Sequence, residues 1–271
     1  DAATAKPDAD ERRRLPHHLI DVADPIEKLS AGRYVAFADA ACEYIIARGG
    51  WPLLVGGTGL YHRAFVRGLA QIPPVPAALR DDLSHEYASR GAEFMHGELA
   101  AVDPDYAALT PANNRQRVLR ALEVFRATGR PLSHWHADHA AAAPRVQCFT
   151  VVLEPERAWL VERIDRRASA MVEPLLAEVR ELLAAGLPLS SPGLQAIGYR
   201  DAAAVIAGTA PLAGFGDRLA AAHRLYARRQ ATWFRKTPAE VRLGRTDDAA
   251  LEHLASALRA WFAPRAGSDV L

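Results

Sequence analysis

Several features that mark exported, zinc-binding or membrane-spanning proteins are scarce or missing in this sequence. Its 271 residues include two cysteines, Cys42 and Cys148, whose spacing matches neither a zinc site nor a disulfide framework. No run approaches the roughly 20 apolar residues that a membrane-spanning helix needs. The first residues are charged and polar, so a signal peptide is not expected. The composition therefore favours a cytoplasmic protein that does not associate with a membrane.

An excess of one sign of charge is also almost absent. The chain carries 33 Lys and Arg against 32 Asp and Glu, which gives a formal net charge of +1. A chain this close to neutrality has no global field that favours nucleic acid, so any polyanion site must come from local clustering. Hydrophobic residues make up 50% of the chain, which is enough to bury the core of one large domain or two.

The most informative stretch is WPLLVGGTGLY, residues 51–61. Its apolar run is long enough for a buried strand and too short for a buried helix. Gly56 and Gly57 lack a Cβ and permit a sharp turn, after which apolar residues recur with a helical period. A strand, a glycine turn and a helix N-terminus offer N–H groups and the helix dipole to an anion, beside the hydroxyl of Thr58. An ordinary strand-to-helix turn without a ligand is the alternative.

The apolar patterns predict an α/β fold. Strands are expected at residues 17–22, 51–55 and 147–153, with a helix between the first two that begins after Ser30. This strand–helix–strand order is typical of a parallel sheet flanked by helices. Residues 263–271 are expected to form a frayed tail.

The middle of the chain contains helical patterns only. We therefore expect an all-helical insertion, residues 71–145, within an α/β core made of residues 1–70 and 146–271. After the third strand, a long helix is predicted from about residue 156 to 186. Pro174 is expected to interrupt or kink it, because proline removes a helical hydrogen bond.

Two arginines on the long helix are candidates for binding phosphate. Arg163, Arg167 and Met171 are spaced four apart, so a helix places them on one face. The planar guanidinium donates two parallel hydrogen bonds, which suits a phosphate. The alternative is a solvated basic face in which the arginines pair locally with Glu162 or Asp165.

The helix that begins at Arg115 opens with basic residues. These oppose the helix dipole, so a compensating anion is a reasonable hypothesis. Arg117 and Arg120 are three apart and share a face, and the Gln116 amide suits reading a base edge. A plain surface helix is the alternative.

Residues 223–236 alternate cationic and aromatic side chains, which is typical of phosphate contacts beside base-stacking surfaces. The alternative places Tyr226, Trp233 and Phe234 in the core and the arginines in solvent, and both can hold on opposite faces. We favour a core role for Trp233 and phosphate contacts for the arginines.

His136 and His139 lack a third partner at zinc spacing, so no metal-ligating set is predicted from the protein's own residues.

Taken in order, several motifs resemble those of the tRNA dimethylallyltransferases, also called isopentenyl-tRNA transferases. They are TAKP (4–7), PHHLID (16–21), VGGTGLY (55–61), RQR (115–117), RALEV (120–124), TGRP (128–131), QAIGYR (195–200), RQ (229–230) and TWFR (232–235). Each motif is short, but their shared order over residues 4 to about 236 makes chance a poor explanation.

The resemblance implies transfer of a dimethylallyl group from dimethylallyl diphosphate to N6 of adenosine 37, next to the anticodon of tRNA. It also implies a P-loop NTPase-like parallel sheet with a helical insertion, nucleotide or ATP binding, and Mg²⁺ as cofactor. The target base would be flipped into a channel of the enzyme. The expected partners are the tRNA anticodon stem-loop and dimethylallyl diphosphate, and we expect a monomer.

By the same resemblance, Arg167 and Thr58 are the expected catalytic residues. The expected tRNA contacts are Thr58, Arg80, Gln116, Arg117, Val118, Leu119, Arg120, Gln195, Ala196, Ile197, Gly198, Tyr199, Arg200, Arg228, Arg229, Gln230, Ala231, Thr232, Trp233, Phe234 and Arg235.

The chain also departs from the family pattern. The resemblance implies a G-x-T-x-S-G-K-S/T phosphate loop followed by a general-base aspartate, and neither occurs here at a matching position. Ala3 and Pro174 stand where glycine is customary. We expect that the sequence starts partway into the protein and that these residues alone are inactive. The alternatives are a non-catalytic tRNA-binding remnant and a prenyltransferase acting on free adenine nucleotides, which would not need residues 223–236.

Overall fold

A computed structural model describes residues 1–263, so most of the predicted tail, 263–271, lies outside the described residues. The chain forms two compact units. The first contains residues 1–65 together with those from 147 onward, and the second contains residues 66–146. The predicted helical insertion, 71–145, falls inside the second unit.

Helices dominate the described chain. In order, the elements are α1 (Ala9–Arg14), α2 (Ala31–Ala47), α3 (Gly59–Arg67), α4 (Ala77–Arg90), α5 (Ala92–Val102), α6 (Pro104–Ala108), α7 (Arg115–Thr128), α8 (Leu132–Ala141), β1 (Val151–Leu153), α9 (Arg157–Ala184), a 3₁₀ turn (Pro192–Gln195), α10 (Tyr199–Ile206), α11 (Phe215–Phe234), β2 (Val241–Leu243) and α12 (Asp248–Phe262). Among residues 1–263, no helix combines the length and apolar character that crossing a bilayer requires.

The sheet of the first unit is small and parallel. β1 pairs with β2 in a register that places Val151 opposite Val241 and Leu153 opposite Leu243. The side chains of Val152 and Val241 are buried. The third predicted strand is thus present as β1, although it is shorter than expected. The fold is α/β with a small parallel sheet and many helices.

The two other predicted strands are wrong. In residues 17–22, Leu19 and Asp21 have φ of 62° and 58°, a left-handed backbone that cannot continue a strand. Residues 51–55 are irregular, and Leu53 and Val55 remain 80% and 81% exposed. No described strand lies beside this run, and a lone extended segment has no ladder to pair its N–H and C=O groups.

The core of the first unit lies between α9, α10 and α11. Buried Leu175 and Val179 of α9 pack with Phe215 and Leu219 of α11. α9 runs from Arg157 to Ala184 as one helix with Pro174 inside it, so the predicted interruption does not occur. Burial of one long apolar face compensates for the hydrogen bond that proline removes.

The second unit has its own core, in which α4, α5 and α7 contribute Leu83, Met95, Leu99 and Leu122. The buried carboxylate of Asp103 accepts from the Tyr106 N–H at 3.1 Å and from the Ser133 N–H at 2.9 Å. It therefore satisfies one N-terminal donor of α6 and one of α8. Two more caps define helix starts: Ser30 at α2, as predicted, and Asn114 at α7.

Candidate functional site

The glycine turn and the C-terminal end of α11 form one surface of the first unit. The side-chain amide of Gln230 donates to the carbonyl of Gly57 at 3.1 Å, and the indole of Trp233 lies against Gly59. A Cβ at Gly57 would overlap the Gln230 amide, and one at Gly59 would overlap the Trp233 ring. The close approach of α11 therefore requires glycine at position 59, where an added Cβ would meet a rigid ring, whereas at position 57 it would meet the movable end of the Gln230 side chain.

Thr58 occupies the position directly before α3. Its backbone carbonyl accepts from the N–H groups of Tyr61 and His62 at 2.9 and 3.3 Å, which starts the helix. Its side chain is exposed. The predicted helix N-terminus beside a hydroxyl is therefore present, although the strand predicted before it is not.

Two arginine–aromatic stacks lie along this surface. The guanidinium of Arg63 lies 4.9 Å from the ring centre of Trp233, and that of Arg229 lies 5.6 Å from the ring centre of Tyr226. Trp233 is half-buried, with contacts to Gly59 and Arg63. It is neither a fully buried core residue nor a bare stacking platform, so the preference for a core role is right only in part.

The predicted tRNA-binding segment 228–235 divides by exposure. The three half-buried side chains Gln230, Trp233 and Phe234 face α3 and the glycine turn, while the exposed ones are Arg228, Arg229, Ala231, Thr232 and Arg235. Burial lowers the pKa of His62, whose ring lies 6.5 Å from that of Phe234. The helix therefore presents cations outward beside a half-buried aromatic layer.

Arg167 projects from α9 toward the first residues of the chain. Its Nη2 donates to the carbonyl of Thr4 at 2.7 Å. Asp165, predicted as a local partner, instead forms an ion pair with Arg224 of α11. The Arg163 guanidinium stacks 4.7 Å from the ring centre of Trp159. The alternative of local pairing is therefore wrong for Asp165, and Arg167 keeps donors beyond the one that Thr4 uses.

A histidine from α11 lies near Arg167. The Nε2 atom of His223 is buried and has no hydrogen-bond partner among the described residues. Burial lowers the pKa of His223, and the positive charge of Arg167 lowers it further. Both effects favour the neutral form of the imidazole beside the arginine.

The motif QAIGYR, residues 195–200, is mostly structural in its second half. Gly198 has φ of 89°, and a Cβ there would lie 2.6 Å from Leu219 and 2.9 Å from Leu175. Tyr199 is buried and its hydroxyl donates to Glu178 at 3.0 Å. Burial and the Glu178 charge both raise the tyrosine pKa. The prediction that the Tyr199 side chain contacts tRNA is therefore corrected, because this side chain belongs to the core. The exposed residues of the motif are Gln195, Ala196 and Arg200.

The predicted contacts on the second unit also divide. Gln116, Arg117 and Arg80 are exposed, and Arg120 is half-buried. Val118 and Leu119 are buried in the core. The prediction that the side chains of Val118 and Leu119 contact tRNA is therefore corrected. Consecutive residues of one motif point to different faces of a helix, and these two face the core.

The described residues do not supply a magnesium site by themselves. No group of three or more His, Cys, Asp or Glu within residues 1–263 is arranged around a common ion position. Mg²⁺ prefers carboxylate, phosphate and water oxygens, and the glycine turn offers only the Thr58 hydroxyl beside its backbone groups.

Comparisons with known proteins identify the family of the chain. The family model described as IPP transferase matches residues 1–237. A tRNA dimethylallyltransferase of Methylibium petroleiphilum is 48% identical over 246 residues, which cover 88% of this chain and 75% of the relative. The chain belongs to the IPP transferase family.

Solved structures agree with this membership. The full-length tRNA isopentenylpyrophosphate transferase of Bacillus halodurans is 33% identical, with a TM-score of 0.65 over 98% of this chain and 86% of its own. A eukaryotic dimethylallyltransferase described as acting on tRNA has a TM-score of 0.77 over 97% of this chain and 68% of its own. At 23% identity, the second shows a shared fold.

Two residues of this family member escaped prediction from the sequence. Arg63 lies one helical turn after Gly59 on α3, and the i+4 spacing could have identified it. Glu123 lies three residues after Arg120 on α7 and bonds to it. Its second arginine partner, Arg80, comes from another helix, and no local pattern predicts that contact.

Proposed function

We propose that this chain carries the tRNA-binding and diphosphate-binding parts of an enzyme that transfers a dimethylallyl group from dimethylallyl diphosphate to N6 of adenosine 37, next to the anticodon of tRNA. Named relatives are tRNA dimethylallyltransferases. The observation that supports this most directly is the contact of Gln230 with Gly57 and of Trp233 with Gly59. This contact holds the glycine turn, the proposed anion site, beside a helix that presents arginines and aromatic rings.

The chemistry explains why these groups belong together. N6 of adenosine forms a bond to C1 of the dimethylallyl group, the C1–O bond breaks, and the electron pair leaves on diphosphate. Negative charge develops on the leaving oxygen, where fixed cations and N–H donors stabilise it. Arg167 and the start of α3 are the proposed donors. The adenine must first leave the stacked loop, and α11 offers aromatic groups to unstacked bases and cationic groups to the neighbouring phosphates.

The proton lost from N6 needs a base. In the family pattern that base is an aspartate that has no match in these 271 residues. We therefore propose that residues 1–271 by themselves bind tRNA without turning over dimethylallyl diphosphate.

Mg²⁺ is proposed to arrive with the diphosphate, since this ion is commonly held by substrate phosphates and water. A P-loop-like core, nucleotide binding, the anticodon stem-loop as binding site, a cytoplasmic location and a monomeric state also remain proposals.

The test compares tRNA prenylation by the protein expressed from its complete natural reading frame with prenylation by residues 1–271 alone. Unmodified tRNA with A37 is the substrate, and the same tRNA with G37 is the matched control. We expect A37-dependent product from the complete protein and tRNA binding without product from residues 1–271. Modification of free adenine nucleotides in place of tRNA would contradict the proposed substrate.

A further inference from the structure

A carboxylate of the second unit lies between two arginines from different helices. The Oε2 atom of Glu123, on α7, is 3.3 Å from Nη1 of Arg120 on the same helix. The same oxygen is 3.9 Å from Nε of Arg80 on α4. Both guanidinium groups therefore lie within ion-pair distance of one carboxylate oxygen, and that of Arg120 is close enough to donate a hydrogen bond to it.

The three side chains differ in exposure. The side chain of Glu123 is 14% exposed, whereas those of Arg80 and Arg120 are 52% and 42% exposed. The carboxylate is thus sheltered and the two cations reach solvent. Each guanidinium has five N–H donors, so most of them remain free for a further acceptor.

Two guanidinium groups brought this close repel each other unless a negative charge lies between them. An exposed arginine without a partner also samples many rotamers, and fixing it on a ligand costs free energy. A sheltered carboxylate removes both obstacles before the ligand arrives. A phosphate oxygen pair is the ligand that two adjacent arginines fit best.

We propose that Glu123 is a positioning residue for tRNA: it holds Arg80 and Arg120 as a pair that binds the same stretch of tRNA backbone. This role rests on the proposed function, because it needs a tRNA phosphate as the bound anion. Glu123 does not touch the tRNA. It acts through the two arginines.

The direction in which one substitution changes the affinity for tRNA tests this role. Glu123→Gln keeps the shape of the side chain and removes its negative charge. Simple electrostatics predicts tighter binding of a polyanion once an acid is removed. The positioning role predicts the opposite, a loss of about three- to tenfold in tRNA affinity. It also predicts that log K against log salt becomes shallower by roughly 0.7–0.9, the slope of one phosphate contact. Glu98→Gln on α5, an exposed residue of the same unit, is the charge-matched control, and we expect its affinity to be equal or slightly higher.

A second measurement separates positioning from a general structural effect. In a variant that already carries Arg80→Ala and Arg120→Ala, Glu123→Gln should change tRNA affinity by less than about twofold, because the groups it orients are gone. The complete natural protein is used throughout, and a thermal melt of each variant reports whether the fold is retained.

Each outcome supports or overturns the role. Unchanged or tighter tRNA binding by Glu123→Gln, with wild-type binding intact, overturns the positioning role and leaves the proposed function standing. An equal loss in the background without the two arginines also overturns it, since the effect would then be structural. Failure of the wild-type protein to bind tRNA overturns the proposed function and this role together.

Discussion

The side-chain amide of Gln230 donates to the carbonyl of Gly57 at 3.1 Å, although 173 positions separate the two residues in the chain. Three residues further along α11, Trp233 lies against Gly59. The glycine turn is therefore fixed by tertiary contacts with α11 and not by a neighbouring strand. Its geometry, and any anion site at the start of α3, depends on those two side chains.

Alanine substitutions along the turn should rank by what each added Cβ meets. Gly59→Ala adds a Cβ at the first residue of α3. Here the Cβ overlaps the Trp233 ring, so we expect a loss of about 1–3 kcal/mol in the free energy of unfolding. Gly56→Ala, with no atom within 4 Å of its Cβ, is the matched control. Urea denaturation measures both, and a more stable Gly59→Ala would contradict the contact with Trp233.

Gly57→Ala should be milder than Gly59→Ala. The overlapping group is the end of the flexible Gln230 side chain, which can rotate away and lose only its hydrogen bond. A net intramolecular hydrogen bond contributes about 0.5–1.5 kcal/mol. Gln230→Ala should cost the same amount, and the double variant little more than either single one. Fully additive losses in a double-mutant cycle would show that the two residues are not coupled.

Arg167 should act on the chemical step. In the complete protein, Arg167→Ala is expected to lose about 2.7–4 kcal/mol of transition-state stabilisation, the range for removing one preorganised donor. Arg167→Lys should restore only part of it, because an ammonium lacks the guanidinium fork. Single-turnover prenylation of tRNA measures the effect. Arg163→Ala, whose guanidinium stacks on Trp159, is the control from the same helix face. An unchanged single-turnover rate for Arg167→Ala would leave Arg167 as a surface arginine.

Local patterns in the sequence predicted the parts of the fold that depend on local structure. Periodicity identified α2, α7, α9 and α11, and Ser30 caps α2 as its side-chain chemistry suggests. Ordered motifs identified the family, which the comparisons confirm.

What failed depends on tertiary structure. An apolar run such as 51–55 has the pattern of a strand, but it becomes one only when a neighbouring strand pairs with it. Among the described residues, no strand pairs with this run. A motif such as 116–120 does not show which face of the helix each residue occupies. The prediction therefore groups buried Val118 with exposed Arg117. The partners Glu123 and Arg80 come from separate helices, and no local period connects them.

His223 should make the stability of the first unit fall in mild acid. Its pKa is lowered in the folded protein by burial and by Arg167, so the unfolded chain binds the proton more readily. The neutral imidazole therefore contributes its full share of the folding stability above the unfolded-state pKa of about 6.5. That share is lost as the pH falls through and below this value. We expect His223→Gln to flatten the dependence of the melting temperature on pH between about 7 and 5.5. His253→Gln, an exposed position on α12, is the control. An equal pH dependence in wild type and His223→Gln would contradict this.

Three exposed arginines at the C-terminal end of α11, where Arg235 is the C-cap, test whether the substrate is tRNA or a free nucleotide. If Arg228, Arg229 and Arg235 contact tRNA phosphates, replacing any one with alanine should weaken binding about equally across different tRNAs. Each replacement should also flatten log K against log salt by roughly 0.7–0.9, because fewer counterions are released. The matched control is Arg180→Ala, an exposed arginine of α9. A free adenine nucleotide spans too few phosphates to use three arginines along the end of a helix, so on that alternative all three slopes would equal the wild-type slope. A filter-binding salt series on the complete protein measures them, and three unchanged slopes would remove the main physical argument for a tRNA substrate.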